Sequence, residues 1–331
     1  IYASTLNNGT SFTLSTADGS SGQFLKTNGS GTLSWGTASG GGGGSLNGLS
    51  DVLVENDSIF LGSDPSSTTN NAQYNVSLGI DALDSITTGD KNVALGYRTM
   101  WNNTTGESNV SLGYQSMINN TTGGFNVAIG RETLLNSNNK SELVAIGYQS
   151  MQNAIGDGNT AIGCQSMQNA TGSHNTVVGH QAGNDITSGG HNTLLGKSSG
   201  EKITTGSTNV IIGSNTANTL TSGTKNIIIG KGANVSASYI ENAIIIGHDS
   251  TGHGNDIVVI GNSSTDAWHP GGDNSIDLGS ASYRFKDAHI QGVINATKIK
   301  TGTPTFTLPT TDGTSGQFLK TDGNGTLSWG T

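Results

Sequence analysis

The chain has 331 residues, 51 of them glycine, with 11% charged residues, 5% aromatic residues and a formal net charge of −9. Glycine at about twice its usual share, with so few charges, is the composition neither of an ordinary enzyme nor of a charged disordered tail. The acidic balance is spread without runs, which argues against nucleic-acid and anionic-membrane partners, since both require a basic patch.

No apolar stretch approaches the ~20 residues of a membrane span, and no signal-peptide pattern opens the sequence. The first residue is Ile1, which fits a segment of a longer protein. Residues 1–37 read as a small β connector module: Phe12-Thr13-Leu14, a turn at Asp18-Gly19, Gly22 to Thr27, and Gly31 to Gly36. Alternating apolar residues between glycine turns predict short strands and hairpins. Phe24, Leu25 and Trp35 are too few to close a core in ~30 residues, so packing against neighbouring chains is expected. A carbohydrate platform on Trp35 or on Trp329 near the other end is the lesser alternative. Residues 38–57 are a linker and lead-in, flexible by composition at Ser39 to Ser45.

Over residues 58–262 a glycine closes a short apolar run thirteen times, at 62, 79, 96, 113, 130, 147, 163, 179, 196, 213, 230, 247 and 261. The spacing is 17 or 16 until a last interval of 14. A fixed period of this kind marks stacked repeats. An aliphatic residue stands one place before every glycine, and a β-branched residue three places before, as in Val93-Ala94-Leu95-Gly96. Two apart is the strand period, so these columns are expected to face one core. The residue two before the glycine then faces outward. It is small early (Ser77, Ala94, Ala128) and large late (Leu194, Ile211, Ile228). A large aliphatic outward face must be covered, so a parallel homo-oligomer, most simply a trimer, is expected with tight contact over 177–259.

Four places after the glycine stand Leu83, Met100, Met117, Leu134, Met151 and Met167, and the position turns small from Gly183 and Gly200 onward. This reads as a second core column. Asparagine stands four places before nine of the glycines, among them Asn75, Asn92, Asn109 and Asn226. A ladder of amides, each bonded to the next, is expected. Residues 263–300 form a cap and transition segment, and residues 301–331 repeat the first module at a constant offset of 294, with Trp329 in the place of Trp35. The fold class is therefore all-β: a parallel β-roll or solenoid of about thirteen 14–17-residue coils, in a homotrimeric fibre, flanked by small β connectors.

Chemistry is thin. Asp81, Glu107, Glu132, Asp157 and Glu201 read as unrelated solvated loop charges, with no carboxylate pair for glycoside hydrolysis. Cys164 offers neither a disulfide nor a zinc spacing. His248-Asp249 and His253 to Asp256 read as turn polarity; only a three-chain assembly would multiply them into cation ligands. No catalytic, cofactor-binding or metal residue is assigned, no cofactor is expected, and no receptor-binding residue is singled out. The expectation is a protein that is not an enzyme.

The Asn-Val-Ala-Leu-Gly and Asn-Val-Ala-Ile-Gly repeats with their Thr-Gly loops resemble the left-handed β-roll heads of trimeric autotransporter adhesins (YadA-type heads). Longer coils with Leu-Gly-Tyr-Gln and Asn-Asn-Thr-Thr-Gly look like those of bacteriophage tail-fibre proteins. The stretch Ile276 to Ile290 and the Gly-Gln-Phe-Leu-Lys-Thr modules resemble joints and connectors of phage structural proteins. Adhesin heads use shorter coils, and only the interval from 247 to 261 matches them. The resemblance implies a virion component outside the cell, a tail fibre or similar appendage. It would be a trimeric spacer and host-surface binder, with other tail proteins at its termini and a host receptor, a polysaccharide among the candidates. The alternative it implies is the head of a bacterial adhesin.

Overall fold

A computed structural model describes residues 52–62, 65 and 68–265 as the main body. It also describes 5–7, 11–13, 19–21, 23–30 and 32–36 before that body, and 278, 280, 282–292, 298–300 and 305–331 after it. The Gly-rich stretch 39–45 and Trp268, His269, Pro270 and Ile276 lie outside the described residues. The chain divides into two units, Ile1–Asp266 and Ala267–Thr331. Every regular element of eight residues or more is absent among the described residues: the structure is built from short strands, with no α-helix.

In the first unit, β1 (Thr5–Asn7) pairs antiparallel with β2 (Ser11–Thr13), and β3 (Phe24–Thr27) with β4 (Leu33–Gly36). Next come β5 (Val52–Glu55) and β6 (Ser58–Leu61), an antiparallel hairpin turned by Asn56 and Asp57 in left-handed conformation. Asn and Asp accept that conformation more readily than other side chains. The hairpin begins the principal sheet. Three-residue strands follow, one per coil: β7 (Val76–Leu78), β8 (Val93–Leu95), β9 (Val110–Leu112), β10 (Val127–Ile129) and β11 (Val144–Ile146). The series continues through β12 (Thr160–Ile162), β13 (Thr176–Val178), β14 (Thr193–Leu195), β15 (Val210–Ile212) and β16 (Ile227–Ile229). β18 (Ile244–Ile246) and β20 (Val258–Ile260) end it. In the last coils a second side also turns to strand, where β17 (Asn234–Val235) pairs with β19 (Thr251–Gly252).

From β6 onward every neighbour in the principal sheet is parallel and in register, as in Val110↔Val127↔Val144. Thirteen parallel strands enclose about twelve turns of a β-solenoid. At ~4.8 Å per rung the sheet climbs roughly 58 Å. The repeating glycine is required by this stacking. Gly113 has φ +137°, and a Cβ there would sit 2.4 Å from the carbonyl oxygen of Gly130 one coil on. Only glycine tolerates both the backbone conformation and the approach.

The direction of the strand side chains reverses the sequence expectation. The middle residue of each strand faces the interior: Ala94, Ala128, Val177, Leu194, Ile211 and Ile245 are buried. The β-branched and aliphatic residues on either side of it face out, and Leu78 is 54% exposed. The reason is interior volume. A coil carrying one three-residue strand admits one strand side chain, and it must share the space with the residue four places after the glycine. Where the strand contributes Ala94, Ser111 or Ala145, the opposite position is Met100, Met117 or Met151, all buried. Where it contributes Leu194, the opposite positions are glycines. A Cβ on Gly183 would lie 2.9 Å from Leu194 Cδ1, and one on Gly200 would lie 3.1 Å from Leu194 Cδ2. Small faces large in the first half, and large faces small in the second. Interiors are packed to near-crystalline density, so the two columns compensate each other.

Beside these columns the interior holds further apolar residues, among them Ile86, Ile186, Ile203 and Leu220, and a column of buried asparagines. Asn92 donates from Nδ2 to Asn75 Oδ1 (3.1 Å) and to the Gly106 carbonyl (2.9 Å), and its own backbone N–H donates to Asn75 Oδ1 (2.9 Å). The same three bonds recur at Asn109, Asn175, Asn192 and Asn209. The expected amide ladder is therefore present. It tethers each coil's turn to the strand of the coil below, and it satisfies buried backbone groups that would otherwise be orphaned.

In the second unit, β21 (Lys298–Lys300) pairs with β22 (Thr305–Thr307), and β23 (Phe318–Thr321) with β24 (Leu327–Gly330). The register of β23 and β24 copies that of β3 and β4, pairing Leu319 with Trp329 as Leu25 pairs with Trp35.

Candidate interaction surface

The outward side chains of the strands make two aliphatic columns along the principal sheet. One holds Val76, Val93, Val110 and their successors; the other holds Leu78, Leu95, Leu112 and theirs. Both columns stay aliphatic or β-branched on all thirteen rungs, and Val258 and Ile260 at the far end are 64% and 50% exposed. Two columns ~58 Å long and about 10 Å wide amount to on the order of 600 Å², at the upper end of the apolar patches found on monomeric proteins. The contact expected over 177–259 rested on the middle residues facing out. They face in, and the apolar face runs the full length of the roll instead.

The first position after the glycine carries Tyr97, Tyr114, Arg131 and Tyr148 on consecutive coils. The Tyr97 and Tyr114 rings stack with centroids 5.4 Å apart. The Arg131 guanidinium lies 5.4 Å from the Tyr114 centroid and 5.8 Å from that of Tyr148. Arg98 lies between Tyr97 (5.1 Å) and Trp101 (4.9 Å). Both arginines are ion-paired: Arg98 with Asp81 at 3.0 Å and Arg131 with Glu132 at 2.8 Å. The hydrogen bond from Gln149, then that from Arg131, holds Glu132 below the usual carboxylate range. Hydrogen bonds from Lys225 and Tyr239 do the same for Glu241.

The acidic residues are less scattered than their numbers suggest. Asp81 and Glu132 both stand two places after a repeat glycine, and Glu107 and Asp157 both stand six places before one. The first two are anchored to arginines. Asp157 accepts the Ser141 backbone N–H at 3.0 Å and faces Lys140 at 3.6 Å. His248 and Asp249 pair at 3.1 Å, and among the described residues no group of three or more His, Cys, Asp or Glu side chains converges as metal ligands. His174 and His191 stack at 5.1 Å on neighbouring coils. Cys164 is half-buried, with a free thiol.

The connector tryptophans are structural. A Cβ on Gly19 would lie 2.5 Å from the Trp35 ring, and one on Gly313 the same distance from the Trp329 ring. One ring face is thus occupied by backbone, and Trp329 Nε1 donates to the Thr311 carbonyl at 2.8 Å. Phe24 and Phe318 remain exposed, at 65% and 73%, so each module leaves apolar surface uncovered. That Tyr97, Tyr114 and Tyr148 share the coil position of Cys164 is legible in the sequence, whereas their contacts with Arg131 are not.

Comparison with protein-family models, with curated proteins and with solved structures finds no match to this chain. The class that the fold itself defines is a parallel β-solenoid, compatible with a β-roll fibre.

Proposed function

We propose that this chain is a structural component of a bacteriophage virion, a tail fibre or similar appendage, in which three copies associate in parallel as a rigid spacer and host-surface binder. The observation that carries the assembly is the pair of outward columns, aliphatic apart from Thr160, Thr176 and Thr193, that stay half-buried or exposed along the sheet. At about 25 cal/mol per Å², covering on the order of 600 Å² per chain yields on the order of 15 kcal/mol before the costs of association. A face of one sign of polarity on a linear repeat is matched rung for rung by a second copy running the same way. Cyclic closure then leaves no copy with an open face, whereas an unclosed contact would propagate into filaments. The uncovered Phe24 and Phe318 of the connectors support the same arrangement. The assignment to a phage particle rests on the resemblance of the repeats, joint and connectors.

Sedimentation or native mass measurement tests the assembly: three times the chain mass is expected. Leu112→Asp with Leu195→Asp should lower it to the single-chain mass while the β signal in circular dichroism persists. A stable monomer of the unaltered chain sinks the proposal. Gold-labelled antibody to the chain should decorate external appendages of the particle; labelling of a bacterial surface in the absence of phage would favour the adhesin reading instead.

A further inference from the structure

We infer that the turn face of coils 96–163 is a binding platform for a neutral, linear polysaccharide lying along the roll axis. This deepens the host-surface-binding reading and rests on it. The fold does not require the aromatic column. At the same coil position further along stand Cys164, His180, Lys197, Ser214 and Lys231, and those coils stack equally well. The rings are concentrated on four consecutive coils of a chain with few aromatics, and Tyr97, Tyr114 and Tyr148 stay more than one-third exposed.

Because Tyr97 and Tyr114 stack on each other and Arg131 lies over Tyr114 and Tyr148, ring faces are engaged within the column while part of each ring meets solvent. Tyr97 and Tyr114 thus place hydroxyls one coil apart, and Tyr148 places a third two coils further on, across Arg131. The guanidinium groups within the row are neutralised by Asp81 and Glu132. The strip is thus nearly uncharged in a chain of net charge −9, which disfavours charged polymers and leaves hydrogen bonding as the means of recognition.

The strip continues sideways into amides. Gln149 donates to Glu132 at 2.8 Å, and Gln152 to the same carboxylate at 3.3 Å. Beyond them Asn102, Asn119, Asn136, Asn153 and Asn169 form a surface ladder, each Nδ2 donating to the next Oδ1 at 2.7–3.2 Å. An amide has two N–H donors and two acceptor lone pairs. The ladder engages one N–H and one lone pair of each internal amide, which fixes the rotamer and leaves the rest for a ligand. Fixed polar groups lose little entropy on binding. A sugar ring in an extended chain advances by about the rise of one coil and presents hydroxyls that both donate and accept. The platform repeats on that scale, so each coil adds a weak contact and the sum is multivalent.

The test uses the full chain on an array of purified bacterial surface polysaccharides, neutral and anionic, with the retained glycan titrated by calorimetry. Retention of a neutral linear glycan is expected. Tyr114→Ala should weaken it roughly tenfold or more, Tyr114→Phe less, and Lys197→Ala, at the same coil position outside the platform, not at all. Circular dichroism and particle mass show whether each variant is folded and assembled. Retention of anionic glycans alone, affinity unchanged in folded Tyr114→Ala, or no retained glycan each overturns the inference. If the mass stays trimeric, such a failure leaves the fibre reading standing; a monomeric mass removes that reading itself.

Discussion

The two halves of the roll have the same three-residue strands, the same register and an asparagine ladder broken in the first half only at Leu143, yet they fill their interiors in opposite ways. Coils 79–163 place alanine or serine on the strand and methionine or leucine in the turn. Coils 179–213 place valine, leucine or isoleucine on the strand and glycine or alanine in the turn. The lesson is that the backbone repeat fixes a volume, and the sequence is free to choose which side supplies it. The change occurs between Met167 and Val177, within one coil.

The most damaging change to either half is one that attacks what both share. Gly113→Val puts a branched side chain where a Cβ already meets a carbonyl at 2.4 Å. Strain and overpacking together should cost more than about 4 kcal/mol, seen as a large fall in melting temperature or loss of soluble protein. The next experiment breaks the comparison itself. Met117→Ala in the first half and Ile211→Ala in the second should each cost about 2–5 kcal/mol in urea denaturation, although the two residues sit on opposite sides of the interior. If only strand positions were sensitive, the shared-volume account would be wrong.

A double substitution sharpens the same point. Gly200→Leu alone should overpack against Ile203 and Leu194, which lie 2.9 and 3.1 Å from a Cβ there, and cost about 1–3 kcal/mol. Adding Leu194→Ala restores the small strand residue of the first half and removes one of these two contacts, so the double variant should be less destabilised than the sum of the two single changes, the coupling expected of residues in contact. Gly200 already has φ +56°, and Met100 occupies the equivalent position at φ +52°, so the backbone itself accommodates the exchange. Asn192→Ala should cost about 1–3 kcal/mol, because it leaves the Asn209 backbone N–H unpaired inside the roll.

The smallest effect separates the two connectors. Asn28 Oδ1 accepts the N–H groups of Ser30 and Thr32, and Asp322 Oδ1 accepts those of Asn324 and Thr326. The backbone N–H bonds hold Asp322 below its usual range. A carboxylate depressed on folding contributes stability that is present above its unfolded value and is lost as pH falls through the folded one. Protection of the Thr326 amide against exchange should therefore fall relative to that of Thr32 on acidification below the usual aspartate range. Asp322→Asn should abolish the difference. Equal acid sensitivity at both turns would contradict this account.

Much of the architecture was legible in the residues. The glycine period, a short strand before each glycine and the asparagine ladder follow from spacing and residue type. So does the shared register of β3 with β4 and of β23 with β24, because Phe24–Thr27 and Leu33–Gly36 recur unchanged at an offset of 294. The direction of the strands was misread. Period two says that Val93 and Leu95 share a face and Ala94 takes the other, but it does not say which face is inside. Hydrophobicity favoured the flanking pair, and the interior was too narrow to take them. The inverse sizes of Ala94 with Met100 and of Leu194 with Gly200 held the answer, since positions that trade volume face each other.

What the sequence determined alone is the repeat: its length, its turn chemistry and its glycine, because each is imposed by local backbone conformation and by stacking on an identical neighbour. What the tertiary structure decided is inside and outside. A side chain's face depends on the width of the cavity that its own coil encloses, and that width exists only once the coil has closed. The same closure turned the aliphatic columns from a core into an exposed face, and brought Tyr97, Tyr114, Arg131 and Tyr148 from residues a coil apart into one column.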